Sequence, residues 1–330
     1  MNKNHIKYLQ CIKCKSELKY KDIIEENNKI KSGTLECSHC KNEYPIVNFI
    51  PRFVPISNYA DSFGMQWNIH HSDQHDKFSN INDSEERFKN ETKWDDDLSN
   101  EIVIEAGCGA GRFTQYAADT NAMVLSFDYS IAVEASYKHH KDRENILIIQ
   151  ADIYDIPFRD SIADKIYCFG VLQHTPDSKE SLTALTKKLK VGGKIAADNY
   201  PFLSTTWFNT KYWVRPISKR LNHKFLYWWC QKHVKFMWPI FKMNKKLFSP
   251  KRANRINWRL LVPDYTSHGL SDEKLKEWAV MDLFDMLAPQ YDNPVRLETF
   301  RDWFVELGYK GVDVHMGYNG CEGRGTKGKC

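Results

Sequence analysis

Four cysteines near the start of the chain carry its most specific chemistry. Cys11-Ile-Lys-Cys14 and Cys37-Ser-His-Cys40 are two Cys-x-x-Cys pairs with 22 residues between them. Each pair presents two thiolates to one point from a single tight turn. Two such turns, brought opposite by a hairpin, complete a tetrahedron around zinc. The interval is slightly longer than the usual spacing of about 15–20 residues, and a longer hairpin absorbs the excess. Four sulfurs leave no open coordination position, so the zinc expected here is structural, and His39 inside the second pair is a bystander. A segment of about 50 residues cannot build a core without a staple, which favours a metal over ordinary buried thiols. The other five cysteines, Cys108, Cys168, Cys230, Cys321 and Cys330, are scattered and read as free thiols.

A second constellation begins at residue 101. Glu101–Glu105 is a short apolar strand, and Ala106-Gly-Cys-Gly-Ala-Gly111 is a glycine-rich turn that lets backbone approach a ligand closely. Asp128 ends the next strand, where its carboxylate can accept both hydroxyls of a ribose. Asp152 ends the strand after that, where it can accept from an adenine amino group, with Ile153 beside it to pack on the ring. The spacing is Glu-x-Gly-x-Gly-x-Gly, unlike the Gly-x-Gly-x-x-Gly of nicotinamide enzymes. A carboxylate two residues before the first glycine repels a pyrophosphate and suits an ammonium. On charge grounds this favours S-adenosylmethionine (SAM), whose tail is an amino acid. The alternative is a nucleotide fold that has lost its ligand.

Positioning these residues requires strands and helices in alternation. Apolar runs at Ala122–Phe127, Ile146–Gln150, Asp164–Phe169 and Lys194–Asp198 read as strands. Arg112–Asp119, Ile131–Lys141 and Lys179–Leu189 read as the helices between them, with a turn at Gly192-Gly193. This pattern predicts an α/β fold with a doubly wound parallel sheet and right-handed crossovers. Every candidate ligand residue then falls at a strand's carboxyl end, where such sheets bind ligands. No apolar run approaches the roughly 18–20 residues needed to span a bilayer, and the first residues lack a signal-peptide core. The expected compartment is the cytoplasm.

At this point a family resemblance is specific. Val103-Ile-Glu105-Ala-Gly107-Cys-Gly109-Ala-Gly111-Arg-Phe113, Ala151-Asp-Ile-Tyr-Asp-Ile-Pro-Phe158, Phe169-Gly170-Val-Leu-Gln173-His174-Thr-Pro-Asp177 and Lys190-Val-Gly-Gly-Lys194 resemble motifs of class I SAM-dependent methyltransferases. The subtype they are most similar to works on small molecules in ubiquinone and menaquinone biosynthesis. Phe63-Gly-Met-Gln-Trp67, Glu86-Arg-Phe88, Phe284–Asp292 and Gly323-Arg-Gly325 resemble segments of a group of bacterial methyltransferases. The resemblance implies a seven-stranded Rossmann-like methyltransferase sheet closed by hairpin strands near Gly311–Met316 and Cys321–Lys327, after a helix at Leu297–Leu307. It also implies site roles. Gly107, Gly109 and Gly111 would border the methionine part of SAM, with Cys108 between them, and Glu105 would hold the ammonium directly or through water. Asp128, with Tyr129 next to it, would hold the ribose, and Asp152 and Ile153 the adenine. Gly170 to His174, Gln173 included, would line the cleft near the methyl. The cysteine segment is similar to the small zinc-ribbon proteins that partner methyltransferases.

The expected organisation is a zinc ribbon over 1–55, a helical N-terminal cap over 56–100, and a SAM-binding domain over 101–330 with a helical lid insertion at about 200–295. Residues 201–260 contain 14 Lys/Arg and no Asp or Glu, against an acidic balance elsewhere. Leu221–Phe248 predicts one or two amphipathic helices with Phe225, Trp229, Phe236, Ile240 and Phe241 inward. The insertion is expected to be a lid, and peripheral membrane contact or an anionic ligand are the sharper readings of its charge. The function expected is methyl transfer from SAM to an oxygen or nitrogen of a small polar acceptor, neutral or anionic, free or linked to lipid or nucleotide. His174 is the candidate general base, with Tyr200, His268 and Tyr291 as lesser candidates. A catalytically silent SAM-binding scaffold, a non-methylating SAM enzyme and an RNA-directed methyltransferase are the alternatives, although the small-molecule motifs speak against nucleic acid.

Overall fold

The computed structural model describes residues 1–73, 75–79 and 82–329; Cys330 lies outside them. Strands β1 (Leu18–Glu26) and β2 (Lys29–Cys37) form a hairpin that takes up the long interval between the cysteine pairs. Its turn residues Asn27 and Asn28 have φ of 52° and 60°. Asn tolerates this left-handed conformation, which matches the twist of the flanking strands. β3 (Glu43–Val47) and β4 (Ile50–Pro51) complete a four-stranded antiparallel sheet in the order β1-β2-β3-β4.

After this ribbon come α1 (Asp61–Ile69), α2 (Asp76–Ser79) and α3 (Asp83–Thr92). The main sheet follows as β5 (Ile102–Ala106), α4 (Thr114–Asp119), β6 (Met123–Asp128), α5 (Val133–His140), β7 (Ile146–Gln150), β8 (Ala163–Cys168), α6 (Ser178–Lys188) and β9 (Leu189–Asn199). Its strand order is β10-β11-β9-β8-β5-β6-β7, with the final pair supplied from the C-terminus. Strands β5 to β9 pair in parallel, and β11 runs against β9. This is a Rossmann-like methyltransferase sheet. The chain winds outward from β5 to β7 on one side and from β8 to β9 on the other, so the switch point lies between β5 and β8.

One local expectation changes. Gly192-Gly193 is not a turn before the strand. β9 already pairs at Leu189, opposite Ala163, and resumes register at Lys194 opposite Lys165. The extra residues bulge out within the strand, with Gly192 at φ 81°.

The ribbon and the main sheet share one hydrophobic core: Leu9, Ile30, Leu35 and Ile46 cluster with Leu147, Ile149 and Phe158. Leu9 bridges to Phe158, and Gln10 donates from its backbone to Pro157 O (2.7 Å) and from its side chain to Phe158 O (3.0 Å). Arg52, just past β4, is buried. Its guanidinium donates to Gln150 Oε1 (3.0 Å) and Glu134 (2.8 Å), so a charge that burial would otherwise penalise is paired, although its Nε has no partner.

A second compact unit spans Leu203–Gln290, and the first unit holds the rest of the described chain. The second is helical: α7 (Thr210–Ser218), α8 (His223–Leu247), α9 (Pro250–Arg259) and α10 (Asp272–Leu287). Its core joins Leu226, Cys230, Val234, Trp238 and Phe241 of α8 to Ala279, Leu283, Phe284 and Leu287 of α10. The inward face of α8 differs from expectation. Phe241 is buried and Trp229 and Ile240 are half-buried, whereas Phe225 and Phe236 are 51% and 78% exposed. The helix carries two apolar stripes, and periodicity alone does not say which one α10 covers.

After Tyr291 the chain returns to the first unit as α11 (Leu297–Glu306), β10 (Tyr309–Met316) and β11 (Cys321–Lys327). Phe300 and Phe304 of α11 are fully buried and anchor this closing layer.

Candidate functional site

The glycine loop follows β5 at the sheet's carboxyl edge. Gly107, Gly109 and Gly111 have φ of 75°, 52° and 85°. A Cβ on Gly107 would lie 2.2 Å from Val171 Cγ2, so both conformation and space demand glycine there. The loop is clamped from every side. Gly107 and Cys108 N–H donate to Phe127 O, and Gly109 N–H donates to Asp128 Oδ2 (2.9 Å). His75 and His140 reach the carbonyls of Ala110 and Gly111 at 3.1 and 2.9 Å.

Glu105 ends β5 beneath the loop and is 2% exposed. Its Oε2 accepts from Thr114 (2.6 Å) and Ser126 (2.7 Å). Burial pushes its carboxyl up to about 7 against the pull of those hydroxyls. Asp128 ends β6, and its Oδ1 accepts from Ser130 N–H and Oγ–H at 2.8 and 2.7 Å. Asp152 follows β7, half-exposed, with the buried Ile153 beside it. Cys108 is buried, and burial holds its thiol well above the usual range, which suits packing and not attack.

The residues after β8 close the other side of the switch point. Gly170 N–H donates to Asp198 Oδ1 at the end of β9 (2.6 Å). Gln173 is fully buried with both amide atoms unpartnered, and so is Asn199 at the end of β9. His174 is buried; its Nδ1 lies 3.1 Å from Tyr291 O, and its ring packs against Phe63 and Tyr200. Glu105, Asp128, Asp152, Gly170, Gln173 and His174 therefore all lie at the carboxyl ends of β5, β6, β7 and β8. His268 lies in the second unit, against Tyr265 and Trp278.

Sequence reasoning missed two groups. The first is an aromatic rim. Trp67 of α1 lies over Gly109, with its ring 3.3–3.5 Å from where a Cβ would stand, and Tyr59 packs on Tyr129 and Tyr291 at 4.7 and 5.2 Å. In the sequence, Phe63–Trp67 carries only a family resemblance and no signal that it reaches the glycine loop. The second is a buried charge cluster under α3. Arg87 donates to Glu91 and Asp198, and Asn319 donates to Asp198 Oδ2 (3.2 Å). Phe113, Phe169 and Tyr318 surround the guanidinium at 5.1–5.7 Å. Burial and a neighbouring carboxylate push both Glu91 and Asp198 up, against the pull of the Arg87 guanidinium they share.

At the N-terminus the four cysteine sulfurs lie within 4.8 Å of one another, with Cys11–Cys40 at 3.5 Å and Cys14–Cys37 at 3.4 Å. These separations exceed a disulfide bond of about 2.05 Å and approach the roughly 3.8 Å edge of a tetrahedron built on Zn–S of about 2.3 Å.

Residues 104–197 match the family described as "Methyltransferase domain". The chain carries a methyltransferase domain. Among curated proteins it is similar to the demethylmenaquinone methyltransferase of Staphylococcus saprophyticus, 26% identical over 56% of this chain and 89% of that one. It is similar to the ubiquinone biosynthesis O-methyltransferase of Idiomarina loihiensis, 31% identical over 36% of this chain and 48% of that one. It also matches an uncharacterized protein of Synechococcus, 34% identical over 28% of this chain and 23% of that one. The staphylococcal protein aside, the chain spans about half or less of the length of these relatives. Among solved structures, a protein assigned as a SAM-dependent methyltransferase from Methanococcus maripaludis is 17% identical over 84% of this chain and 97% of that one, with a TM-score of 0.44.

The buried Glu105 couples ligand charge to pH. In the free protein its carboxyl is partly protonated near neutrality. An ammonium beside it favours the carboxylate and lowers its pKa, so binding releases a proton at pH below about 7. SAM affinity should therefore rise as pH rises toward about 8, by at most about tenfold per pH unit, and Glu105→Gln should abolish the slope. Calorimetry that finds the same slope in the variant contradicts this role.

Proposed function

We propose that this chain is a SAM-dependent methyltransferase acting on an oxygen or nitrogen of a small polar acceptor. The observation that carries the reading is the glycine loop at the switch point, with carboxylates at the ends of three consecutive parallel strands. The site fits SAM chemically: a cradle that a Cβ would fill, an acidic residue beneath it for an ammonium, and Asp128 and Asp152 in order along the strand ends as acceptors for ribose and adenine. Glu105, Asp128, Tyr129, Asp152 and Ile153 would hold the cofactor, with Gly107, Cys108, Gly109 and Gly111 against its methionine part. When bound, it supplies an electrophilic methyl on a sulfonium that is already a good leaving group.

The protein's own contribution is then mainly orientation and exclusion of water. Gly170, Gln173 and Asn199 offer buried polar groups for an acceptor, and the unmet carboxamides of the latter two need partners. His174 has a further role. A carbonyl only accepts, so the contact with Tyr291 O places the proton on Nδ1 and leaves Nε2 with a lone pair. That tautomer can take a proton from an acceptor hydroxyl as the methyl transfers, or from an acceptor ammonium beforehand, leaving the neutral amine to attack. His174→Asn should lower kcat about a hundredfold or more and leave SAM affinity unchanged. S-adenosylhomocysteine release from a panel of phenols, sugars and amines provides the assay. SAM binding with no turnover on any of them favours a silent scaffold, and loss of SAM affinity in the variant contradicts the role of base.

We further propose that Cys11, Cys14, Cys37 and Cys40 hold one structural zinc. Because the ribbon shares its core with the sheet, removing the metal should loosen more than the first strands. Metal analysis of protein purified without added zinc should find about one equivalent per chain. Chelation should increase amide exchange in β1–β3 and also at Phe158, where the ribbon docks. A folded ribbon with no metal rejects the assignment.

A further inference from the structure

Among the described residues, eighteen large hydrophobic side chains are exposed, and ten of them lie within 203–247. The same stretch belongs to the segment that holds 14 Lys/Arg and no acid. α8 sorts these residues into lines. At 100° per residue, Phe225, Phe236, Met243 and Leu247 form one exposed apolar line opposite the buried face; they are 51%, 78%, 51% and 66% exposed. Lys224, Lys235 and Lys246, all exposed, form a second line beside it, together with Lys242, which also pairs with Asp272 at 2.7 Å. α9 buries Ala253 and Asn257 and exposes Lys251, Arg252, Arg255 and Arg259 on its other side.

We propose that the Leu203–Gln290 unit docks on an anionic lipid surface through α8 and α9. The apolar line enters the boundary between headgroups and acyl chains, and the basic residues meet the lipid phosphates. Three observations favour this occupant. A second copy of the chain would bring a like excess of positive charge against itself. A nucleic acid stacks on aromatic rings, and half of the apolar line is Met243 and Leu247, which cannot stack. An aromatic–aliphatic line parallel to a lysine line is the arrangement that an in-plane membrane helix requires. No helix among the described residues is long and apolar enough to cross a membrane, so the contact lies in the interface. Lys245 takes no part: it is engaged with the buried Asp264 at 2.9 Å.

This inference does not rest on methyl transfer, and its test needs no turnover. Full-length protein is floated with vesicles of phosphatidylcholine alone or mixed with phosphatidylglycerol, at low and high salt. Binding is expected to the anionic vesicles and to weaken with salt. Phe225→Ser/Phe236→Ser and Lys224→Gln/Lys235→Gln/Lys246→Gln should each lower the partition coefficient about ten- to hundred-fold. All five positions are exposed, and an unchanged melting curve verifies that both variants fold. Absence of binding to anionic vesicles, or binding that neither variant weakens, overturns the proposal. So does binding of a single-stranded oligonucleotide or self-association, lost in the same variants, without vesicle binding.

Discussion

The close approach of backbone to side chain at Gly107 governs the first unit. With Val171 Cγ2 2.2 Å from where a Cβ would stand, the loop after β5 and the loop after β8 meet without a side chain between them. That meeting brings the glycine turn and the Gly170–His174 segment to one edge of the sheet. The other contacts hold the loop in place. Asp128 takes the Gly109 N–H, Phe127 O takes those of Gly107 and Cys108, and Glu105 is fixed below by Thr114 and Ser126. Asp128 holds the loop and is also the acceptor that the proposed cofactor reading assigns to a ribose, so on that reading preorganisation and recognition share a group.

The additions to the core solve separate problems. The ribbon is too small for a core of its own. It borrows Phe158, Leu147 and Ile149 from the main sheet and extends the β7 edge with Arg52 beside Gln150. The helical unit, by contrast, has its own core between α8 and α10. What it leaves exposed is unusual for a soluble surface, where single apolar residues are ordinary and aligned ones are not.

Much of this was legible in the sequence. The parallel strands of the core follow from alternating apolar runs and helices, because parallel strands buried on both faces read as continuous Val/Ile/Leu segments such as Ile146–Gln150. The cysteine pairs and the glycine spacing have few other physical readings. The charge cluster was not legible, because Arg87 and Glu91 four residues apart on a helix look like a solvated surface pair. Only the fold brings Asp198, 111 residues away, to the same guanidinium. The inward face of α8 was misjudged because two apolar stripes compete on one helix, and the choice is made by α10, some 30 residues on. The tautomer of His174 depends on Tyr291 O, which no local pattern connects to it.

The central claim is that the edge built around Gly107 is a cofactor site anchored by Asp128. Calorimetric titration of the full chain with S-adenosylhomocysteine, in parallel with Asp128→Ala, tests it most directly. The account predicts one saturable site per chain and affinity about ten- to hundred-fold weaker in the variant, with the ligand-free melting temperatures within a few degrees of each other. No saturable binding, or equal affinity in the two proteins, would contradict it.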